Sequence, residues 1–388
     1  MSFPGLNSNY PKTTFGYDLD LLKQYHKDLI VLGDDPSGAA VIILPAYQGR
    51  VMTSTTDGMH GKSFGWVNHE LIASRNRVEH MNAFGGEERI WLGPEGGQFS
   101  VYFKKGTEFT FENWFVPAAF DTEPFNVIST SSSHASFNKA MRLENYSGNI
   151  LDLEITRTIR LMDKKNMETS LGMEIPESIK RVGFESENGL TNVGNNAWDK
   201  TRGMLSLWVL CMMNATDNTN VAIPYKQGDV SKLGKIVTDD YFGKVPAERL
   251  QVANGLIIFK ADANHRSKIG ISPARALPLA ISYDATDLVL TVTRFSLHEG
   301  VTDYVNSLWQ MQDDPFAGDA VNAYNDGPIN GSQMGRFYEV ESSSPAAALE
   351  PKQTMVHRNA VMHFTGTKED LNKISMQLLN LPVDAISL

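Results

Sequence analysis

Short apolar segments that alternate with polar residues recur along most of this chain, and each is bounded by glycine, proline, aspartate or asparagine. Alternation with a period of two is typical of a half-buried β-strand. LDLEITRTIRLM shows it clearly, and further strand candidates bounded by turn-forming residues are GMLSLWVLCMM, GLIIFKAD, DLVLTVTRFSL and TMVHRNAVMHF. About ten or more such strands with few helices predict an all-β sandwich or barrel of unusual size.

Two further stretches predict strands with defined interruptions. The run AAVIILPAYQGRVMTS is apolar enough for a strand but is broken near Pro45 and Gly49. In QFSVYFKKGTEFTF, residues 98–111, apolar residues alternate on both sides of a Lys-Lys-Gly-Thr turn, which predicts a β-hairpin. The stretch GDDPSG, residues 33–38, predicts a turn.

The two ends of the chain differ from its middle. Residues 1–16 are polar and contain two prolines, so we expect an extended arm. From Tyr17 onward apolar residues recur at helical spacing, and Thr367 with Asp370 resembles a capping box that begins a helix over Glu369–Leu379. Since there is neither a fixed-period repeat nor a linker-like segment, residues 17–388 are expected to form a single domain.

Composition excludes several classes of function. The 388 residues include 35 lysines and arginines against 45 aspartates and glutamates, a formal net charge of −10. Because the basic residues are scattered, we expect no nucleic-acid partner. No stretch of about 18 or more apolar residues occurs, so no transmembrane helix is expected. No signal peptide is visible, but a chain whose signal had been removed would look the same, so both cytoplasm and periplasm stay open.

The densest polar and aromatic stretch lies near the end, from Tyr304 to His357. Its part GDAVNAYNDGP, residues 318–328, is rich in turn formers and predicts a loop with many hydrogen-bonding side chains. The following RFYEVESSSP alternates as a strand should, which places Glu339 and Glu341 on one face. Positions two apart on a strand lie about 7 Å apart. Two carboxylates on an enclosed face form an acid/base device, whereas on a solvated face they have no such role.

A second concentration of interest is GGEERIWLGPEGGQF, which contains Arg89, Trp91 and Glu95. Arg89 and Trp91 share strand parity. An indole face can stack on the C–H groups of a sugar ring while the guanidinium donates paired hydrogen bonds to hydroxyls. The alternative is a glycine-rich loop whose tryptophan fills the core. A third polar and aromatic loop, DGMHGKSFGWVN, contains His60.

Several well-known signatures are missing. The sequence contains no HExxH, CxxC, GxGxxG, GxxxxGK[ST] or GxSxG motif. We therefore expect neither a metal nor a cofactor.

Together, GGEERIWLGPEGGQF, NVGNNAW, YVNSLWQMQ, GDAVNAYNDGP and FYEVESSSPAAALEP resemble a family of uncharacterised bacterial proteins in the galactose-mutarotase-like superfamily. The resemblance covers the chain from about Tyr17 to the last helix. It implies an all-β fold, a large antiparallel β-supersandwich with a few short helices, which agrees with the strand pattern.

The resemblance also implies roles for residues. In aldose 1-epimerases a glutamate on a late strand is the general base, and either Glu339 or Glu341 resembles it. Arg89 resembles the arginine that binds the sugar. Those enzymes use a mid-chain histidine as general acid, and this chain has no matching motif; His134 is the nearest. A proton donor would then have to be Tyr324, Asp326, His60 or a carboxylate whose pKa its neighbour raises.

The resulting expectation is a monomeric protein that recognises a carbohydrate, with epimerase or mutarotase chemistry as one option. Two alternatives stay open: a non-catalytic carbohydrate-binding protein, and a glycoside hydrolase or lyase that uses the paired carboxylates. The candidate catalytic residues are Glu339, Glu341, Arg89 and Asp326. The candidate substrate-binding residues are Trp91, Glu95, His60, Trp309, Asn322, Tyr324 and Asn325.

Overall fold

The structure is a computed structural model that describes residues 8–33 and 38–388. Within these ranges the strands are β1 (Ile30–Leu32), β2 (Ala40–Leu44), β3 (Arg50–Thr55), β4 (Arg89–Gly93), β5 (Asn126–Thr130), β6 (His134–Glu144), β7 (Ile150–Leu161), β8 (Lys180–Asn192), β9 (Ser206–Asn214), β10 (Thr219–Pro224), β11 (Leu250–Ala253), β12 (Leu256–Lys260), β13 (Ser267–Ile271), β14 (Leu279–Asp284), β15 (Val289–Phe295), β16 (Val321–Asn325), β17 (Phe337–Ser343) and β18 (Thr354–Thr365). The α-helices are α1 (Phe15–Tyr25), α2 (His69–Ser74), α3 (Lys164–Leu171), α4 (Val230–Leu233) and α5 (Lys368–Leu379).

The strands form three antiparallel sheets. The largest has ten strands in the order β11-β12-β10-β14-β15-β18-β8-β7-β6-β5, the second has five in the order β13-β16-β17-β9-β4, and the third is β1-β2-β3. The all-β prediction is therefore confirmed. No helix in the described ranges is long and apolar enough to cross a membrane.

The main core lies between the ten-stranded and the five-stranded sheet. One apolar cluster joins Val209 and Val340 of the smaller sheet to Phe184 and Val361 of the larger one. Because side chains alternate along a strand, the odd-numbered residues of β17 at Glu339 and Glu341 point to the other side of the five-stranded sheet. We call that outward side of the five-stranded sheet the site face.

The helices cover surfaces that the sandwich leaves open. Residues of α3 and α5 pack with β15 and β18 in a second cluster on the outer side of the ten-stranded sheet. Helix α1 packs on β2 and β3 in a third cluster. As predicted, Thr367 caps α5, since its hydroxyl accepts a hydrogen bond from the backbone N–H of Asp370 at 3.2 Å.

The N-terminal part contains the strands that the sequence predicted, with a break between them. The apolar run from residue 39 forms two strands, β2 and β3, separated by a 3₁₀ turn at Pro45–Tyr47. Helix α1 begins at Phe15, two residues before the predicted start. Residues 1–7 of the predicted arm and residues 34–37 of the predicted turn lie outside the described residues.

The predicted hairpin over residues 98–111 is wrong. Phe103 makes one isolated bridge to Trp114, and Phe111–Asn113 is a 3₁₀ turn. The aromatic side chains pack instead of pairing: the Phe103 ring lies 5.2 Å from that of Trp309. Burial of these rings in an irregular layer overrides the local alternation.

The loop predicted over residues 318–328 is also wrong in its centre, because Val321–Asn325 is strand β16. It is paired on both sides, with β13 and with β17. Asparagine side chains favour turns when they bond to their own backbone, but here the Asn322 amide donates instead to the carbonyl of Ile269 on the neighbouring strand, at 3.1 Å. Tertiary pairing therefore outweighs turn propensity here.

Candidate functional site

The site face collects side chains from all five strands of the smaller sheet. Glu339 of β17 lies directly opposite Tyr324 of β16, and Glu341 lies opposite Asn322. Directly opposed residues share a face. Residues of β4, β9 and β13 that lie opposite these positions in the neighbouring strands also point to the site face. The polar and aromatic members of the site face are Arg89, Trp91, Trp208, Lys268, Asn322, Tyr324, Glu339 and Glu341.

Arg89 and Glu339 form a buried ion pair on this face. The distance from the guanidinium Nη2 to Oε1 of Glu339 is 3.2 Å, and the guanidinium carbon lies 4.1 Å from the Trp91 ring centroid. Burial raises the pKa of Glu339 to about 7, against the opposing effect of the Arg89 charge and with a smaller contribution from neighbouring Glu341. Glu339 can therefore carry a proton near neutral pH.

Glu341 is held by two donors that sequence reasoning did not identify. Its Oε2 accepts hydrogen bonds from Trp208 Nε1 at 2.9 Å and from Lys268 Nζ at 2.8 Å. The Lys268 ammonium lies 5.1 Å from the Trp208 ring centroid and 5.6 Å from that of Tyr241. The local signal for Lys268 was a charged side chain within the short strand β13. That Lys268 lies beside Glu341 follows from the pairing register of β13, β16 and β17, which the local sequence does not show.

A second hydrogen-bonded group borders the first. The Asn322 amide donates to the Tyr241 hydroxyl at 3.2 Å, and Tyr241 donates to Asp319. Burial and the nearby Asp319 charge raise the pKa of Tyr241 well above its usual value, so Tyr241 keeps its proton. Gly270 makes room for this group, since a Cβ there would lie 2.1 Å from Oδ2 of Asp319.

Tyr324 belongs to a third group, at the far end of the face. Its hydroxyl donates to Asp326 Oδ1 at 2.8 Å and accepts from Arg266 Nε at 3.2 Å. Burial, together with the Asp326 charge, raises the pKa of Tyr324 far above its usual range. Asp326 also accepts from the backbone N–H of Gly335 at 3.0 Å, so both of its oxygens are occupied. The raised pKa makes Tyr324 a poor proton donor at neutral pH.

A cavity of about 270 Å³ opens on the site face. Trp208, Lys268 and Asn322 line one part of its wall, and Ser206 and Ser272 line another. The hydroxyls of both serines are buried and have no hydrogen-bond partner among the described residues. Buried hydroxyls without partners are costly unless a water or a ligand satisfies them. The cavity therefore has the polarity and the aromatic wall that a polar, ring-shaped ligand requires.

The remaining predicted residues around β4 are placed as follows. Trp91 is 4% exposed, so of the two alternatives for this residue an exposed stacking ring is wrong, and the indole is packed in the core with its face against the Arg89 guanidinium. Glu95 is partly buried, and its backbone N–H donates to the Ser307 hydroxyl at 3.2 Å. Burial raises the pKa of Glu95 to about 7, opposed by the charge of Lys268.

His60, Asn325 and Trp309, which the sequence predicted as binding residues, lie away from the site face. His60 is exposed and packs edge-on against Tyr10 at 4.9 Å, beside α1. Asn325 points to the core side, where its side chain accepts from the backbone N–H of Ala263 at 2.8 Å. Trp309 packs on Trp114, with 5.7 Å between the ring centroids.

Two other features bear on chemistry. His134 lies on β6, in the ten-stranded sheet, and bonds to Ser131 at 2.7 Å, so it does not supply the missing histidine. Within residues 8–33 and 38–388, no three histidine, cysteine, aspartate or glutamate side chains are grouped as metal ligands.

The two packed antiparallel sheets with a polar site face define a galactose-mutarotase-like β-sandwich, and solved structures share it. A candidate aldose 1-epimerase from Escherichia coli K12 superposes with a TM-score of 0.52 at 10% identity, over 86% of this chain and 99% of that chain. A galactose mutarotase-like protein from Lactobacillus casei ATCC 334 gives 0.51 at 10% identity, over 86% and 99%. At such identity the likeness shows the fold alone.

Residues 13–388 match DUF6786, a family of unknown function, and the chain belongs to that family. No curated protein matches the sequence. The fold that this resemblance implied, a galactose-mutarotase-like β-sandwich, is confirmed by the structural likeness.

Proposed function

We propose that this protein binds a carbohydrate in the cavity of the site face. The observation that carries the proposal is the pair of buried, unpartnered hydroxyls of Ser206 and Ser272, which line the same cavity as the Trp208 ring, the Lys268 ammonium and the Asn322 amide. A sugar ring offers apolar C–H groups to an aromatic wall and hydroxyls to donors and acceptors around it.

The size of the cavity fits this class of ligand. Pockets for drug-sized molecules occupy about 300–1,000 Å³, and about 270 Å³ is slightly below that range. One sugar ring is a ligand of this size. The carbohydrate-related fold of the solved structures supports the same class of ligand without naming the sugar.

Sugar mutarotation is the second candidate function, and the placement of Glu339 and Glu341 on one face of the sheet favours it. Ring opening transfers the anomeric hydroxyl proton to a base while an acid protonates the ring oxygen. Glu341 would be the base, since both of its donors, Trp208 and Lys268, line the cavity. Glu339, which lies two residues from Glu341 on the same face and whose pKa burial raises to about 7, would be the acid. Closing the ring on the other face returns both protons.

The test combines binding with turnover. Mutarotation of freshly dissolved hexoses and hexuronic acids is followed by polarimetry and proton NMR, with wild type, Glu339→Gln and Glu341→Gln. Acceleration that falls about tenfold or more in a variant identifies a proton-transfer residue. Binding in calorimetry without acceleration identifies a carbohydrate-binding protein. Absence of both binding and acceleration would overturn the proposal.

A further inference from the structure

The wall of the cavity continues into an apolar rim. Asn306, Ser307 and Leu308 line the cavity, and the chain then runs outward through Trp309 to Met311. Leu308 is 42% exposed and Met311 is 62% exposed. Two exposed apolar side chains in one short segment beside a cavity call for an explanation, since isolated ones are common but clusters mark binding surfaces.

An aromatic platform lies next to this rim. The rings of Trp309 and Trp114 are 5.7 Å apart at an interplanar angle of 26°, and those of Phe111 and Trp114 are 6.0 Å apart at 26°. Phe111 is 56% exposed and Trp309 is partly exposed, whereas Trp114 is buried beneath them. Both outer rings therefore pack against Trp114 and leave part of their own surface open to solvent.

The rim is held in place by side-chain hydrogen bonds. The Gln312 amide donates to the carbonyls of Leu308 at 2.8 Å and Asn306 at 3.0 Å. The amide of Gln98 donates to the Gln312 carbonyl at 2.8 Å, and the Gln312 backbone N–H donates back to Gln98 Oε1 at 3.1 Å. A surface fixed in this way loses little conformational entropy when a ligand binds.

We propose that the ligand is an oligosaccharide, whose terminal residue occupies the cavity and whose following residues stack on Trp309 and Phe111. The inference rests on the proposed function. It follows from continuity: the cavity holds about one ring, and its wall at Leu308 leads directly to Trp309. Sugar rings stack on aromatic faces through their C–H groups, so partly exposed aromatic rings next to a single-ring cavity fit a chain of sugars.

Charge favours this occupant over an acidic macromolecule. Glu112 follows Phe111 and Asp313 follows Gln312, and both acids are exposed. The chain as a whole has a net charge of −10. An acidic partner would be repelled, whereas a hydroxyl-rich oligosaccharide is not.

The experiment measures binding against chain length. An array carries mono-, di- and tetrasaccharides of glucose, galactose, mannose and xylose and the matching uronic acids, and is probed with wild type, Trp309→Ala and Phe111→Ser. The control is Ile128→Ser, which changes an exposed apolar residue on β5 of the other sheet, 61% exposed. Each hit is then measured by calorimetry, and melting temperatures show that the variants are folded.

We expect tetrasaccharides to bind about tenfold or more tightly than the matching monosaccharide, and both platform variants to remove this gain while Ile128→Ser keeps it. Equal affinity for mono- and tetrasaccharides, or tetrasaccharide binding that neither platform variant weakens, would overturn the inference and leave the proposed function standing. If no carbohydrate binds wild type, both fail, and the platform is then a contact surface of another kind.

Discussion

The guanidinium of Arg89 lies 3.2 Å from the carboxylate of Glu339, although 250 residues separate them in sequence. Strands β4 and β17 are not neighbours, since β9 lies between them. The two side chains therefore meet over β9, and the Arg89 guanidinium also lies over the Trp91 ring. A buried ion pair of this kind makes each partner depend on the other, and loss of one charge leaves the other uncompensated.

Titration of Glu339 makes stability depend on pH. In the folded protein burial raises the pKa of this carboxyl from 4.5 to about 7. Between these values the unfolded chain has lost the proton that the folded protein keeps, so the free energy of unfolding falls as the pH rises through this window. Glu339→Gln removes this titration. From pH 4.5 to 7 the difference in unfolding free energy should therefore shift in the variant's favour by up to roughly 3 kcal/mol, on top of the pH-independent cost of leaving Arg89 without a charged partner.

Urea unfolding of both proteins at half-unit steps from pH 4.5 to 8 measures this difference. Taking the difference cancels the titration of groups common to both proteins, such as Glu95. Glu187→Gln, which alters an ion pair with Arg358 on the ten-stranded sheet, should show no such pH-dependent gain. A stability difference that is constant across the window would mean that Arg89 outweighs burial and keeps Glu339 ionised.

Ser206→Ala should separate ligand binding from folding. The hydroxyl has no partner in the described protein, so its removal should leave stability unchanged or slightly higher. Any ligand that bonds to it should bind more weakly, by about 0.5–1.5 kcal/mol. Thermal unfolding and calorimetric titration with the tightest carbohydrate of the array measure the two effects.

The matched control is Ser344→Ala, because the Ser344 hydroxyl accepts from the backbone N–H of Leu207 at 2.9 Å. That variant should lose stability and keep its affinity. Should Ser206→Ala itself unfold more readily and bind unchanged, the hydroxyl has a structural role and the cavity loses its main argument as a ligand site.

Gly270→Ala should disturb the Asp319 and Tyr241 group. The new methyl would lie 2.1 Å from Oδ2 of Asp319 and 2.7 Å from Nδ2 of Asn322, so at least one of them must move. Overpacking of this kind costs about 1–3 kcal/mol. Chemical denaturation measures the cost, and Gly366→Ala, whose nearest contact would be 3.8 Å away, should change stability by less than about 0.5 kcal/mol. An unchanged Gly270→Ala protein would show that Asp319 and Asn322 can move aside without cost.

Local pattern predicted the parts of this structure that depend on neighbours in sequence. Alternation alone placed Glu339 and Glu341 on one face of β17, because the parity of a strand is fixed by its own backbone. Shared parity likewise placed Arg89 and Trp91 together. The strand pattern as a whole predicted the all-β architecture, which the three antiparallel sheets confirm.

Cross-strand relationships could not be predicted in the same way. Lys268 and Trp208 matter because they donate to Glu341, and their registers bring them there from strands that are remote in sequence. Strand β16 could not be predicted because its asparagines favour turns, and this preference is overridden once both edges of the strand are paired. The burial of Trp91 depends on rings contributed by an irregular layer that has no periodic pattern.

Trp91→Ala tests that burial directly. The indole packs at 5.7 Å from the Trp208 ring and 6.4 Å from the Trp114 ring, and its face contacts the Arg89 guanidinium. Truncation of a buried tryptophan leaves a cavity and should cost about 3–5 kcal/mol, and it also removes the aromatic support of Arg89. Since the Trp91 Nε1 has no hydrogen-bond partner among the described residues, Trp91→Phe should cost clearly less. Guanidinium unfolding of the two variants against wild type measures both costs. A Trp91→Ala protein that keeps its stability and loses its carbohydrate affinity would restore the exposed stacking role expected from the sequence.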